Sequence, residues 1–260
     1  MKDKKKLIFL LGGYDLEMCT IKTLLESHCL PCVDHGLQWN NAYLSAYEKS
    51  LEKYGAPDSA WHIYGVELQE DRLPPPNYSP IDHHNQYAGL PSALEQVAAL
   101  LQFPLDRRLR LIAANDKAYI PGMEALGASD KEIAAIRLAD RRAQGVTEEE
   151  ERLAEKALAE NKETAAGGLL VVRALSAHFS PICDRLFPYG RLLVYTDSEW
   201  VYYGEGADRI KALFEPDLLA GRLFCGGGKQ GFIGSKQGEY APREIHEMIR
   251  QIKEETADGA

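Results

Sequence analysis

Short apolar runs alternate with helix-like segments in the first half of the chain, and this alternation limits the folds that it can adopt. The runs Leu7–Leu11, Trp61–Leu68 and Arg110–Ala114 read as strands. Between the first two, Met18–Leu25 carries apolar residues at helical spacing. Because strands that alternate with helices usually pair in parallel, we expect a largely parallel sheet that is buried on both faces.

Helix starts are marked by three capping boxes, in which a Ser or Thr is followed three residues later by Glu. They begin at Ser92, Ser129 and Thr147, and Gly145 separates the last two helices. The segment Ala165–Gly168 then breaks the helical pattern.

The second part of the chain has its own alternation of elements. Leu169–Ala174 reads as a strand, the apolar runs around Thr196–Glu199 read as a hairpin, and Pro242–Glu255 reads as a closing helix. We therefore predict an α/β protein with three parts. Residues 1–128 form a parallel-sheet domain, residues 129–166 a helical linker, and residues 167–260 a smaller α/β domain.

Composition excludes some classes of function. The 260 residues carry a formal charge of −9, which argues against a broad nucleic-acid surface. The basic start at Met1–Lys6 is followed by an apolar run too short for a signal peptide. No stretch approaches the roughly 18 apolar residues of a membrane span. We predict a cytoplasmic protein without a membrane partner, and a homodimer stays open.

The cysteines fit reduced thiols, because they are odd in number and no secretory signal precedes them. Cys29 and Cys32 resemble half of a zinc site, but a second ligand pair at zinc-ribbon spacing is missing. Ordinary packing or surface positions are the favoured interpretation, with a redox pair as the lesser alternative.

Acidic side chains and imidazoles follow several of the predicted strands, where the loops of an open parallel sheet converge. They are Asp15 and Glu17 after the first strand, Glu67, the run Asp82-His83-His84, and Asp116. Taken singly, each carboxylate is more often a helix cap or turn residue. Together they would repel one another without a cation, so their shared position predicts a divalent metal site.

These segments resemble the motifs of the DHH phosphoesterase superfamily. The stretch "IDHHN" matches the signature motif, and "GGYDLEMCTIKTLL" is similar to the first motif of the family. The stretch "LIAANDKAYI" looks like the strand that ends in a metal-binding Asp, and "CGGGKQGFIGSKQG" like the glycine-rich substrate loop. The chain departs from the family at four positions. Leu11 and Lys229 stand where the family has His, and Glu17 and Glu67 where it has Asp.

The resemblance implies roles for individual residues. Glu67, His83 and Asp116, with Glu17, would hold the better-defined ion, and Asp15 and Glu67 a second one if it forms. Asp82 would orient a neighbouring imidazole, and His84 would contact a phosphate oxygen or the leaving group. Substrate would be bound by Gly226, Gly227, Gly228 and Lys229.

The resemblance also implies a function. We expect a phosphohydrolase or phosphodiesterase that uses one or two Mn²⁺ ions, or Mg²⁺ or Co²⁺, in a cleft between two domains. Its substrate would be a small nucleotide, a short oligonucleotide or a polyphosphate. A catalytically weak or inactive nucleotide or phosphate sensor is the alternative, and a scaffold whose acids are only caps is a third.

Overall fold

The chain forms two compact units, Met1–Gly145 and Val146–Ala260. The structure is a computed structural model that describes residues 5–38, 41–227 and 231–257. The boundary between the units falls inside the segment predicted as a helical linker. The predicted division into three parts stays a prediction.

A parallel sheet organises the first unit. Its strands are β1 (Lys6–Leu11), β2 (Cys32–Asp34), β3 (Trp61–Val66) and β4 (Tyr78–Ile81). Among the described residues they pair in the order β2-β1-β3-β4, and each neighbouring pair is parallel. The predicted α/β class and parallel sheet are confirmed.

Helices and short 3-10 turns surround this sheet. The helices are α1 (Leu16–Ser27), α2 (Glu48–Tyr54), α3 (Ala93–Leu101), α4 (Arg107–Ala125) and α5 (Asp130–Ala143), and the 3-10 turns are Leu44–Tyr47 and Asn85–Tyr87. Ser92 and Ser129 each form the predicted capping box, at the starts of α3 and α5. On one face of the sheet, Ile8, Leu10 and Ile63 are buried in one apolar cluster with residues of the 3-10 turn and α2.

The strand predicted at Arg110–Ala114 is wrong, because these residues lie within α4. An apolar run of this length does not distinguish a strand from a buried helical turn. Asp106 caps the N-terminus of the helix, since its side chain accepts a hydrogen bond from the Leu109 amide at 2.8 Å. The helical path is interrupted at Ala118 and Tyr119, just before Pro121, so Asp116 lies on the last regular turn before a kink.

The strand β2 was not predicted from the sequence. It contains Cys32, whereas Cys29 lies in the preceding turn with a φ of 54°. Both thiols are free. Burial raises the pKa of the Cys32 thiol, and the nearby charge of Glu26 adds to this effect.

A mixed sheet organises the second unit. Its strands are β5 (Lys162–Thr164), β6 (Leu170–Arg173), β7 (Arg191–Tyr195), β8 (Trp200–Gly204), β9 (Leu223–Gly226) and β10 (Phe232–Ser235). In the described ranges they pair in the order β5-β6-β7-β8-β10-β9, with a parallel pair at β6 and β7. The predicted hairpin corresponds to β7 and β8, which pair antiparallel.

The helices of the second unit cover both faces of its sheet. They are α6 (Glu148–Glu160), α7 (Ser180–Leu186), α8 (Ala207–Leu213), α9 (Glu215–Leu219) and α10 (Pro242–Ala257), and a 3-10 turn spans Ala166–Gly168. Residues of α8 and α10 share an apolar cluster with Leu193 and Tyr202, whereas residues of α6 and α7 share one with Leu192 and Val194. No helix within the described part of the chain has the length and apolar character that crossing a membrane requires.

The turn after β1 lies directly against the end of β3. A Cβ atom built on Gly12 would lie 2.3 Å from the carbonyl oxygen of Glu67 and 2.8 Å from the Leu68 side chain. Real Cβ atoms do not approach a backbone oxygen this closely, so only glycine fits at position 12.

Replacing Gly12 with Ala is expected to destabilise the first unit, because the added methyl group must displace the Glu67 backbone. We expect a loss of about 1–3 kcal/mol in the free energy of unfolding, measured by urea denaturation. Gly89→Ala is the matched control, since no described atom lies within 4 Å of the Cβ position there. Equal stability of the two variants would contradict the packing argument.

Candidate metal centre

All but one of the acidic and imidazole side chains singled out from the sequence follow strands that end at one edge of the parallel sheet. Asp15 and Glu17 lie at the start of α1, just after β1. Glu67 directly follows β3, and His83 and His84 follow β4. Carboxyl ends of parallel strands meet at one edge, which places these residues near one another. Asp116 reaches the same cluster from α4.

The imidazole of His83 is at the centre of the cluster. Its Nε2 atom lies 2.6 Å from Oδ2 of Asp116, 3.2 Å from Oε1 of Glu67 and 3.8 Å from Oε2 of Glu17. The ring of His84 lies beside it, with ring centroids 4.1 Å apart, and His84 Nε2 lies 3.8 Å from Glu67 Oε1. The structure thus brings residues from four separate segments together.

The polar atoms at the centre of this cluster are buried without hydrogen bonds. Within the described residues, this holds for Glu17 Oε2, Glu67 Oε1, His83 Nε2 and Asp116 Oδ2. His83 Nε2 lies 3.2 Å from Glu67 Oε1 and 2.6 Å from Asp116 Oδ2, but none of the four atoms has a partner with hydrogen-bond geometry in the described part of the chain. Buried polar atoms are nearly always satisfied, since leaving one unpaired costs about 1–3 kcal/mol. A cation coordinated by these atoms would satisfy all of them at once.

Four side chains lie close to the separation that ligands of one ion require. One ligand atom from each of Glu67, His83, His84 and Asp116 lies within 4.8 Å of the others. Ligands about 2.1 Å from one ion lie no more than about 4.2 Å apart, so small side-chain movements would close the group. Mixed oxygen and imidazole donors suit Mn²⁺, Fe²⁺, Co²⁺ or Zn²⁺. The residues therefore fit a divalent metal.

The backbone at Glu67 is in the left-handed region, with a φ of 51°. This conformation costs a residue with a Cβ atom about 1–2 kcal/mol. The backbone amide of Glu67 is held by the carbonyl of Ile81 at 2.9 Å. The residue in this strained conformation carries the buried carboxylate that lies 3.2 Å from His83 Nε2.

Asp15 and Glu17 each use one carboxylate oxygen to accept a hydrogen bond from a backbone amide at the N-terminus of a helix. Asp15 accepts a hydrogen bond from the Met18 amide at 2.8 Å and so caps α1. Oε1 of Glu17 accepts one from the Leu94 amide at 3.1 Å, in the first turn of α3. The remaining oxygen, Oε2, is the one that approaches His83.

The electrostatics of the cluster reflect an excess of carboxylates. Burial, together with the negative charges of Asp116 and Glu67, raises the pKa of Asp15 to about 7 and the pKa of Glu17 well above its ordinary value. Burial lowers the pKa of His83, but its contacts with Asp116 and Glu67 outweigh burial and raise it to about 10. The ion-free cluster therefore retains protons at neutral pH.

Asp82 acts on the loop backbone. Its Oδ1 atom accepts a hydrogen bond from the backbone amide of His84 at 2.8 Å, and its own carbonyl accepts one from Gln96 at 2.9 Å. These bonds fix the segment that carries both imidazoles. The predicted role of Asp82 in orienting a ring stays a prediction. Gln96 was missed from the sequence, since a Gln on an amphipathic helix gives no signal of such a contact.

The predicted substrate loop belongs to the hairpin of β9 and β10. Gly226 ends β9, where a Cβ atom would lie 2.8 Å from the ring of Phe232, and Gly227 has a φ of 80°. Packing alone accounts for the glycine at 226. Gly228 and Lys229 lie outside the described residues, and the substrate role of this loop stays a prediction.

Comparisons with known proteins identify the fold. No family model matches the sequence, and no curated protein matches it. Among solved structures, the DHH domain of a member of a ribosomal protein family is similar, with a TM-score of 0.55, 10% identity, and coverage of 97% of this chain and 87% of that chain. This likeness shows that the chain has the fold of a DHH-domain protein, and the predicted resemblance is confirmed at the level of the fold.

Two further solved structures show weaker similarity. A pGpG-specific phosphodiesterase, PggH from Vibrio cholerae, has a TM-score of 0.48 and 13% identity, covering 99% of this chain and 100% of that chain. RecJ from Thermus thermophilus, in complex with Mg²⁺, has a TM-score of 0.40 and 12% identity, covering 97% of this chain and 50% of that chain.

Binding of Mn²⁺ is expected to strengthen as the pH rises. His83, with its pKa raised to about 10, holds a proton from pH 6 to 8, and the ion must displace it. The apparent Kd should therefore fall about tenfold per pH unit. The dependence should be steeper below pH 7, where Asp15 is protonated as well. Isothermal titration calorimetry at pH 6, 7 and 8 checks this, and a Kd independent of pH would refute it.

Proposed function

We propose that this chain, which has the fold of a DHH-domain protein, is a divalent-metal-dependent phosphoesterase. Its substrate would be a small nucleotide, a short oligonucleotide or a polyphosphate. The observation that carries the proposal is the convergence of buried, unsatisfied ligand atoms around His83 Nε2. A cluster of this kind does not stabilise the folded protein by packing, because it buries charge without hydrogen bonds.

We assign the ion to Glu67, His83 and Asp116, whose ligand atoms lie closest together. Glu17 adds negative charge 3.8 Å from His83, and its second oxygen is already bonded to α3. Mn²⁺ is the ion we propose to test first, from the group of divalent ions that suit carboxylate oxygens combined with imidazole nitrogen. Whether one or two ions bind depends on Asp15, which caps α1 and lies near the charges of Asp116 and Glu67.

Phosphoester hydrolysis fits this donor set. A bound divalent ion supplies charge stabilisation on the phosphoryl oxygens and activates a water molecule. The protein residues would hold the ion in a buried setting, where electrostatic interactions are stronger than in water. An anionic phosphate group is then attracted to a site that would repel it without the cation.

His84 is the residue we assign to the leaving group. Its side chain is 28% exposed, against 3% for His83, so a substrate can reach it. The contact with Glu67 raises the pKa of His84, which favours the protonated form of the imidazole. Asp82 supports this role, since it holds the His84 backbone amide. The imidazole would donate its proton to the departing oxygen.

A second candidate function is a nucleotide or phosphate sensor with little or no turnover. Leu11 favours it, because this residue stands where the resemblance leads us to expect a His ligand. Its side chain is fully buried, with 0% exposure, and offers no ligand atom. The glycine-rich segment that includes Gly226 and Gly227 would bind the ligand in either case.

A screen of phosphodiesters and polyphosphates against Mn²⁺, Co²⁺ and Mg²⁺ tests the proposal. We expect hydrolysis with Mn²⁺ and a loss of about two orders of magnitude or more in kcat/KM for His83→Ala, because removing a ligand exceeds the 10–100-fold effect of altering its support. His28→Ala is the matched control, since His28 is an exposed imidazole that contacts Phe103 in the same unit.

Two other outcomes separate the candidates. Nucleotide binding without turnover under any of the three ions would favour the sensor. Absence of Mn²⁺ binding to the purified wild-type chain, measured by calorimetry, would overturn the metal centre itself.

A further inference from the structure

A buried ion pair on α5 lies outside the proposed metal centre. Nη1 of Arg137 donates to Oδ2 of Asp140 at 2.7 Å. The two residues are only 7% and 5% exposed. Such a pair contributes little net stability, because removing two charges from water costs about as much as their attraction returns. The role of the pair is therefore inferred from the other residues that it contacts, and not from its contribution to stability.

Asp140 bonds to the start of α1. Its Oδ1 atom accepts a hydrogen bond from the backbone amide of Leu16 at 3.2 Å. Leu16 is the residue between Asp15 and Glu17, and its amide is one of the first-turn donors that a helix cannot satisfy internally. Asp140 therefore fixes the short segment that carries both acidic residues.

Arg137 bonds to the turn of α4 that carries Asp116. Its Nη1 atom also donates to Oδ1 of Asn115 at 2.9 Å, and Asn115 is buried and directly precedes Asp116. The guanidinium lies over the ring of Tyr119, 4.5 Å from the centroid. Tyr119 has a φ of 54° and belongs to the kink that ends the regular part of the helix. Arg137 thus supports the backbone on both sides of Asp116.

The two residues that the pair contacts, Leu16 and Asn115, are sequence neighbours of three acidic residues of the site. These contacts join the α1 segment to the α4 kink through α5, a helix that carries none of the proposed ligands. A shift of Leu16 or Asn115 relative to α5 would lengthen one of these two hydrogen bonds. Leaving a buried charge without its partner is strongly unfavourable.

We propose that Arg137 and Asp140 are positioning residues that fix Asp116, a proposed ligand, relative to the α1 segment whose acidic residues add negative charge to the centre. The inference rests on the proposed function, since it concerns the affinity of the same centre. Supports of this kind typically change metal affinity 10–100-fold when they are removed. The pair acts through Leu16 and Asn115, and neither member is assigned as a ligand.

The test is the double variant Arg137→Met/Asp140→Asn in the full chain. Asn keeps an acceptor for the Leu16 amide and Met fills the space of the Arg stem, so no unpaired charge remains buried. We expect the Kd for Mn²⁺ to rise about 10–100-fold by calorimetry. The metal-free chain should stay folded with a melting temperature only a few degrees lower, because no charge is left unpaired and Asn115 Oδ1 loses a single donor.

The matched control is Glu149→Gln/Arg152→Met, which removes an exposed ion pair of the same spacing on α6. Its Kd for Mn²⁺ should equal that of the wild type. If the first double variant does not fold, Arg137→Lys carries the same test, since Lys keeps the charge but loses the planar fork. We expect the same 10–100-fold weakening for it.

Three results would overturn the positioning role of the pair. A folded variant that binds Mn²⁺ as tightly as the wild type overturns the positioning role and leaves the proposed function intact. A lower melting temperature with unchanged Mn²⁺ affinity assigns the pair to stability alone and also overturns it. A wild-type chain that binds no Mn²⁺ overturns both.

Discussion

The repulsion among carboxylates buried around His83 is the constraint on which the rest of the first unit depends. Burial and mutual repulsion raise the pKa values of Asp15 and Glu17, and the attraction of the carboxylates raises that of His83. A fold that collects these groups must either retain protons or bind a cation. The unsatisfied ligand atoms favour the cation, because protons alone leave them without hydrogen-bond geometry.

Backbone groups of the surrounding structure do most to counter this repulsion. Helix N-termini hold Asp15 and one oxygen of Glu17, and both contacts favour negative charge. Glu67 adopts a left-handed backbone conformation and packs against Gly12. Asp82 accepts a hydrogen bond from the His84 amide. Conformations and buried charges that would be unfavourable in isolation are held in place by neighbouring elements, which is typical of functional sites.

Local chemistry made much of the architecture predictable. The capping boxes at Ser92, Ser129 and Thr147 begin helices, since the bonds involved span only three residues. The hairpin of β7 and β8 was likewise readable from its apolar runs. Arg110–Ala114 was assigned to a strand wrongly, because apolar character alone carries no information about the period of a short run.

By itself, the sequence determined which carboxylates and imidazoles follow the strands and which loops carry them. Carboxylates and imidazoles after β1, β3 and β4 converge in any parallel sheet, because such strands end at one edge. Only the tertiary structure decided that Asp116 reaches His83 from a kinked helix and that Asp140 and Arg137 brace the segments around it. These contacts join residues far apart in the chain, and their distances are set by how helices pack, which no local pattern encodes.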